Sequence, residues 1–174
     1  MKNQTRNQTG QEARVAAAER LVTGQTTLAE FTGLRREQLY EIARTGYRMM
    51  NSGKLEEARR IYRGLVAADP FDSVFHCHLG AVHLRLSETD AALREFDAAL
   101  RFNCASTDAL AGRGETYLNR GQIAEAVKDL RAAVESDPAS KRPSTLRARA
   151  ILLALKEAAR TEAVATTRHD RAIE

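Results

Sequence analysis

Between Leu39 and Ser140 the order of large, small and polar positions repeats with a period of 34 residues. Laid out in steps of that length, the chain aligns Leu39–Asp72, Ser73–Ser106 and Thr107–Ser140. Gly46, Gly80 and Gly114 fall at one offset, and Ala58, Ala92 and Ala126 at a second. Tyr62, Phe96 and Leu130 share a third, and Pro70, Cys104 and Pro138 a fourth. Four residues before each Gly stands Ile42, His76 or Leu110. β-branched residues never gather into alternating runs, so the pattern predicts helices and no strand.

A period of this length with Gly, Ala, an aromatic and Pro at fixed offsets resembles the tetratricopeptide repeat, in which each unit is a helical hairpin. Small Gly46, Gly80 and Gly114 on the first helices are expected to face Ala58, Ala92 and Ala126 on the second. Tyr62 and Phe96 then fill the wedge toward the next unit. Gly53 and Gly121 supply the positive φ that ends a first helix, and Ser87 makes the same turn in unit two with less ideal geometry. Asp69-Pro70 and Asp137-Pro138 stop second helices, and Ser73 and Thr107 are expected to cap the helices that follow.

No such unit buries its apolar face alone, so neighbours stack and the ends need covers. The expected fold is all-α: three tetratricopeptide repeats (39–72, 73–106, 107–140) forming a right-handed helical-hairpin solenoid, with N-terminal helices and a C-terminal capping helix. Residues 1–10 read as a disordered tail. Residues 11–38 read as an N-terminal helical region, "GQEARVAAAERLV" and "TLAEFTGLRREQ" split at Gly24-Gln25-Thr26. Residues 141–165 form the cap, with Ser144 as N-cap and Leu146, Ile151, Leu152 and Leu155 on one face. Residues 166–174 are expected to fray.

Charge changes this picture little. The net charge is +4, but residues 39–140 carry 13 basic and 15 acidic side chains. The excess sits at the ends, with 6 against 4 in residues 1–38 and 8 against 4 in residues 141–174. No aromatic residues accompany the arginine runs, so a nucleic-acid partner is not expected. Cys77 and Cys104 are too few and too isolated for a disulfide framework and read as thiols of a reducing compartment. The longest apolar run, "AILLAL" at Ala150–Leu155, is far short of a membrane span, and the polar N-terminus lacks a signal peptide's apolar stretch. A cytoplasmic protein with no membrane insertion is expected.

"HCHLGAVH" raises the question of a metal. On a helix His76 and His83 share a face, but His78 turns roughly 200° away from His76. His76 and His83 also fall in core slots of the repeat, so structural roles are expected, with no metal and no cofactor. No Gly-rich loop, nucleophile elbow or HExxH is present, which points away from an enzyme. What remains is the concave side of the array, lined by first helices. The residues there that packing does not consume are Tyr40, Ala43, Tyr47 and Met50 in unit one. Unit two adds Val74, Cys77, Ala81 and Leu84, and unit three Ala111, Glu115 and Leu118. This lining suits an extended, partly apolar peptide. The alternative is that Tyr47, Met50 and Leu84 pack against the N-terminal helices or a second subunit.

A narrower resemblance rests on Gly24–Leu28, on Gln38-Leu39-Tyr40, on "SGKLEEA" at Ser52–Ala58 and on "DPFDS" at Asp69–Ser73. From Leu21 to about Leu100 the chain resembles the class II chaperones of type III secretion, which hold translocator proteins before export. The resemblance implies a groove that binds a segment of a hydrophobic translocator and so prevents premature aggregation or assembly. It implies a homodimer through the N-terminal helices, and it adds His78 to the groove beside Tyr40, Tyr47, Met50, Cys77, Ala81 and Leu84. The competing reading is a general tetratricopeptide adaptor or scaffold for assembly of a protein complex.

Overall fold

The computed structural model describes residue 13 and residues 15–170, with side chains as far as residue 162. The expected tail at residues 1–10 lies outside the described residues, as do residues 171–174. Among the described residues every regular element is a helix. Helix α1 covers residues 15–22, α2 runs Leu28–Thr32 and α3 Arg36–Asn51. Then come α4 (Leu55–Ala68), α5 (Ser73–Arg85), α6 (Thr89–Phe102), α7 (Thr107–Asn119), α8 (Ile123–Ser136) and α9 (Pro143–Asp170).

Helices α3/α4, α5/α6 and α7/α8 are the three hairpins, stacked in chain order. The core is a series of interfaces between them. One cluster joins Ala29 to Leu39, Tyr62, Leu65, Phe75, Leu79 and Val82. A second centres on Cys77, Phe96, Ala99 and Ala109, and a third on Leu110, Ala111, Leu130, Ala133 and Ala148 of α9. Each unit's second helix thus completes its core only against the next unit's first, as a one-dimensional array requires.

The atoms nearest the glycines of the first helices belong chiefly to the wedge side chains. A Cβ on Gly46 would lie 2.9 Å from Cε2 of Tyr62, and one on Gly80 2.9 Å from Cδ1 of Phe96. Only at Gly114, 2.8 Å from Cγ of Leu130, does the nearest shell include the carbonyl of Ala126, at 3.2 Å. The rings therefore lie flat on first-helix backbone, where any larger residue would displace them.

Turn chemistry follows the repeat. Gly53, Ser87 and Gly121, spaced by one period, all take left-handed φ of 78°, 61° and 73°. The helix starts differ from expectation by a residue. Asp72, not Ser73, caps α5, accepting from the Val74 amide at 2.8 Å. Ser106, not Thr107, caps α7, and Thr107 is buried inside the helix. Ser144 does not cap α9, because the helix begins at Pro143 and the Ser144 hydroxyl donates to Asp108. The Asp137 carboxylate holds the turn before the helix, accepting from the amides of Lys141 and Arg142 and from the Thr145 hydroxyl. "TLAEFTGLRREQ" is not one helix either. Gly33 at φ 75° closes α2 and the extended Arg35 opens α3.

Candidate functional site

The first helices present one open cavity of about 510 Å³ on their shared face. Helix α3 contributes Tyr47, Met50 and Asn51, α5 contributes Cys77, His78, Ala81, Leu84 and Arg85, and α6 contributes Phe96. Helix α7 supplies Asp108, Gly112 and Glu115, and the start of α9 supplies a wall of Arg142, Pro143, Ser144 and Arg147. The volume falls within the range of ligand sites, and the mixture of apolar floor and few polar groups is their usual chemistry.

Of the residues expected to line a groove, Tyr47, Met50, Cys77, His78, Ala81, Leu84 and Glu115 do so. Tyr40, Ala43, Val74, Ala111 and Leu118 do not. Tyr40 packs on Phe75, ring centres 5.3 Å apart, and donates its hydroxyl to buried Asp72 at 2.9 Å. Ala43 is buried, and its carbonyl accepts the Tyr62 hydroxyl at 2.9 Å. Ala111 is wholly buried against the third core cluster. Val74 is exposed in the first turn of α5, and Leu118, half-buried in the last turn of α7, is not part of the lining.

The groove is a binding surface built from fixed side chains. His78 lies stacked on Tyr62 at 5.1 Å and edge-on to Tyr47 at 5.9 Å. Its Nδ1 sits 2.8 Å from the Val74 carbonyl, which can only accept, so Nδ1 carries the hydrogen. Burial pushes the Cys77 thiol up to about 12, leaving it protonated and without nucleophilic character. The α9 wall is tied on by charge. Arg142 donates to Asp108 at 2.7 Å, the Ser144 hydroxyl to the same carboxylate at 2.5 Å, and Arg147 to Glu115 at 3.1 Å.

Phe96, Gly112, Asp108 and the α9 residues were not expected from the sequence. Phe96 reaches the groove because Gly112 has no side chain, and a Cβ there would lie 2.4 Å from Cζ of the ring. One signal did point to α9. Ala148 stands one period after Gly114, so α9 takes the position of a fourth first helix. Among the described residues no three His, Cys, Asp or Glu side chains converge on a metal-sized site. His76 is occupied on both nitrogens, by Glu95 at 2.7 Å and the Pro70 carbonyl at 3.0 Å. His83 pairs with Glu88 at 2.5 Å.

Fold and site together define a helical-hairpin repeat protein with a binding groove on the face of its first helices. The tetratricopeptide repeat family matches residues 44–109 and 77–141. The low calcium response locus protein H of Yersinia pestis is 30% identical over 122 residues, covering 68% of this chain and 71% of that protein. The type III secretion translocator chaperone SycD of Yersinia enterocolitica shares the fold in two solved forms. In complex with a peptide of the translocator YopD it superposes with a TM-score of 0.61 at 24% identity, covering 71% of this chain and 95% of that one. As an alternative dimer it does so with a TM-score of 0.62 at 24% identity, over 71% and 95% of the two chains. The chain belongs to the tetratricopeptide repeat family and, within it, to the family of low calcium response locus protein H.

Proposed function

We propose that this protein is a type III secretion chaperone that holds an extended segment of a hydrophobic translocator in its groove until export. The observation that carries this reading is the groove itself, with Tyr47, Met50, Cys77, Ala81, Leu84 and Phe96 giving it an apolar floor. Its action is binding alone: masking a segment that would otherwise aggregate or assemble early requires affinity and no bond-making. SycD, which shares the fold, is solved with a peptide of the translocator YopD, which supports the same use of this chain's groove. No described helix is long and apolar enough to cross a membrane, consistent with a cytoplasmic site of action. Val22, Leu28, Phe31 and Leu34 stand exposed around α1 and α2, an apolar surface suited to a homodimer contact.

The test is affinity purification of the tagged full-length protein from its own cells, followed by mass spectrometry, with Tyr47→Ala and Leu84→Glu in parallel. A long secreted protein with hydrophobic segments should co-purify with the unaltered chain. Both variants should lose it while keeping their helical circular dichroism. A stable set of folded cytosolic proteins, retained by both variants, would replace the chaperone with an adaptor.

A further inference from the structure

Three arginines line the groove, Arg85, Arg142 and Arg147, against two carboxylates, Asp108 and Glu115. The surplus comes from the C-terminal segment, since Arg142 and Arg147 belong to residues 141–174, which carry 8 basic and 4 acidic side chains. Two of the arginines are matched, Arg142 by Asp108 at 2.7 Å and Arg147 by Glu115 at 3.1 Å. Arg85 is not. Its Nη1 donates to the Met50 carbonyl at 2.5 Å, and among the described residues it takes part in no ion pair. One carbonyl at the end of α3 uses one of the five guanidinium donors and offsets only a fraction of its charge.

We infer that Arg85 receives a carboxylate of the bound segment, so that the groove selects an apolar stretch carrying an Asp or Glu beside its anchors. The inference rests on the peptide-groove reading and adds to it the charge of the occupant. Arg85 sits exposed in the last turn of α5 beside Leu84, where an incoming carboxylate can reach it directly. A guanidinium is suited to a carboxylate through two parallel N–H bonds. Asp108 belongs to the first turn of α7. First helices of stacked hairpins run parallel, so the acid of α7 and the free cation of α5 mark opposite edges of the groove. Asp108 is already matched by Arg142 and the Ser144 hydroxyl, so an added acid finds its unmatched cation at the Arg85 edge.

The probe is a displayed library of random 12-residue peptides, selected at low salt on the full-length protein and on its Arg85→Lys and Arg85→Glu variants. The unaltered protein should enrich apolar anchors with Asp or Glu at one fixed spacing from them. Arg85→Lys should keep that preference, and Arg85→Glu should exchange it for Lys or Arg at the same position with the anchors unchanged. A selected peptide should weaken about fivefold when its acid becomes Asn, and the difference should shrink in roughly 0.5 M salt. Apolar anchors without an acid preference, or the same preference in Arg85→Glu, would leave Arg85 as a cap of α3 and overturn the inference. Pools with no apolar anchors at all would overturn the groove reading and this one with it. Thermal unfolding of Arg85→Glu with the unaltered midpoint separates lost recognition from lost fold.

Discussion

His76 stands in a slot that the repeat gives to an apolar residue, and its surroundings decide its charge. Both of its partners, the Glu95 carboxylate and the Pro70 carbonyl, accept and cannot donate, so a ring that bonds both must carry two hydrogens. The hydrogen bond to Glu95 raises its pKa above the ordinary histidine value, burial opposes the rise, and the Pro70 carbonyl adds to it. Arg101 works weakly against it, and the Phe102 ring beside it carries no charge. A folded-state pKa above the unfolded one means that the imidazolium stabilises the fold fully below about pH 6.5. That contribution is lost as pH rises through the raised value. Urea midpoints measured from about pH 6 to about pH 9 should therefore fall more steeply for the unaltered protein than for His76→Gln. Parallel curves would show that His76 is neutral and that one of its two contacts is absent in solution.

At the scale of the helix, the turns carry the same comparison between units. Ser87 occupies the place of Gly53 and Gly121 with φ 61°, where a side chain costs about 1 kcal/mol or more. Ser87→Gly should raise unfolding stability by about 1 kcal/mol, read from the urea midpoint at unchanged slope. An unchanged midpoint would mean that the extra freedom of glycine in the unfolded chain offsets the relief. That turn was legible in the sequence because the period puts Ser87 in register with two glycines. The hairpins were legible for the same reason. What spacing could not resolve was rotation about a helix axis. Ala43 and Ala111 share first helices with Tyr47 and Glu115, yet they face the core, while Tyr40 turns aside to Asp72. Nor does local sequence separate neighbouring cap candidates. Asp72 outcompetes Ser73 because its buried carboxylate also receives the Tyr40 hydroxyl and Arg36, contacts from 32 and 36 residues away. One wall of the groove was hidden in a related way, since α9 reads as a cover for the array's end until its register with Gly114 is noticed.

For the whole molecule, α9 performs two tasks that a terminal cover and a binding wall would otherwise divide. Ala148, Ile151 and Leu152 close the last core cluster over Leu110 and Leu130, while Arg142, Pro143, Ser144 and Arg147 complete the groove. The array is also tied across its last two units by Arg113, which holds buried Asp129 through two bonds at 2.6 and 2.9 Å and Asp97 at 2.7 Å. Stability and binding should then be coupled through the C-terminal end. Ala148 is fully buried and does not line the groove, so Ala148→Asp places a charge under α9 without altering the binding surface directly. The cost should be roughly 2–4 kcal/mol, in the range for a buried unpaired charge or overpacked core position. Because each unit contacts only its neighbours, the loss should fall unevenly. Hydrogen exchange should quicken first in α9 and in α7/α8, with α3 to α6 protected longer, and affinity for a peptide selected on the unaltered groove should fall in step. Uniform quickening would mean that the three hairpins unfold as one unit. Normal affinity with α9 released would mean that the first helices α3, α5 and α7 hold the peptide without a fourth.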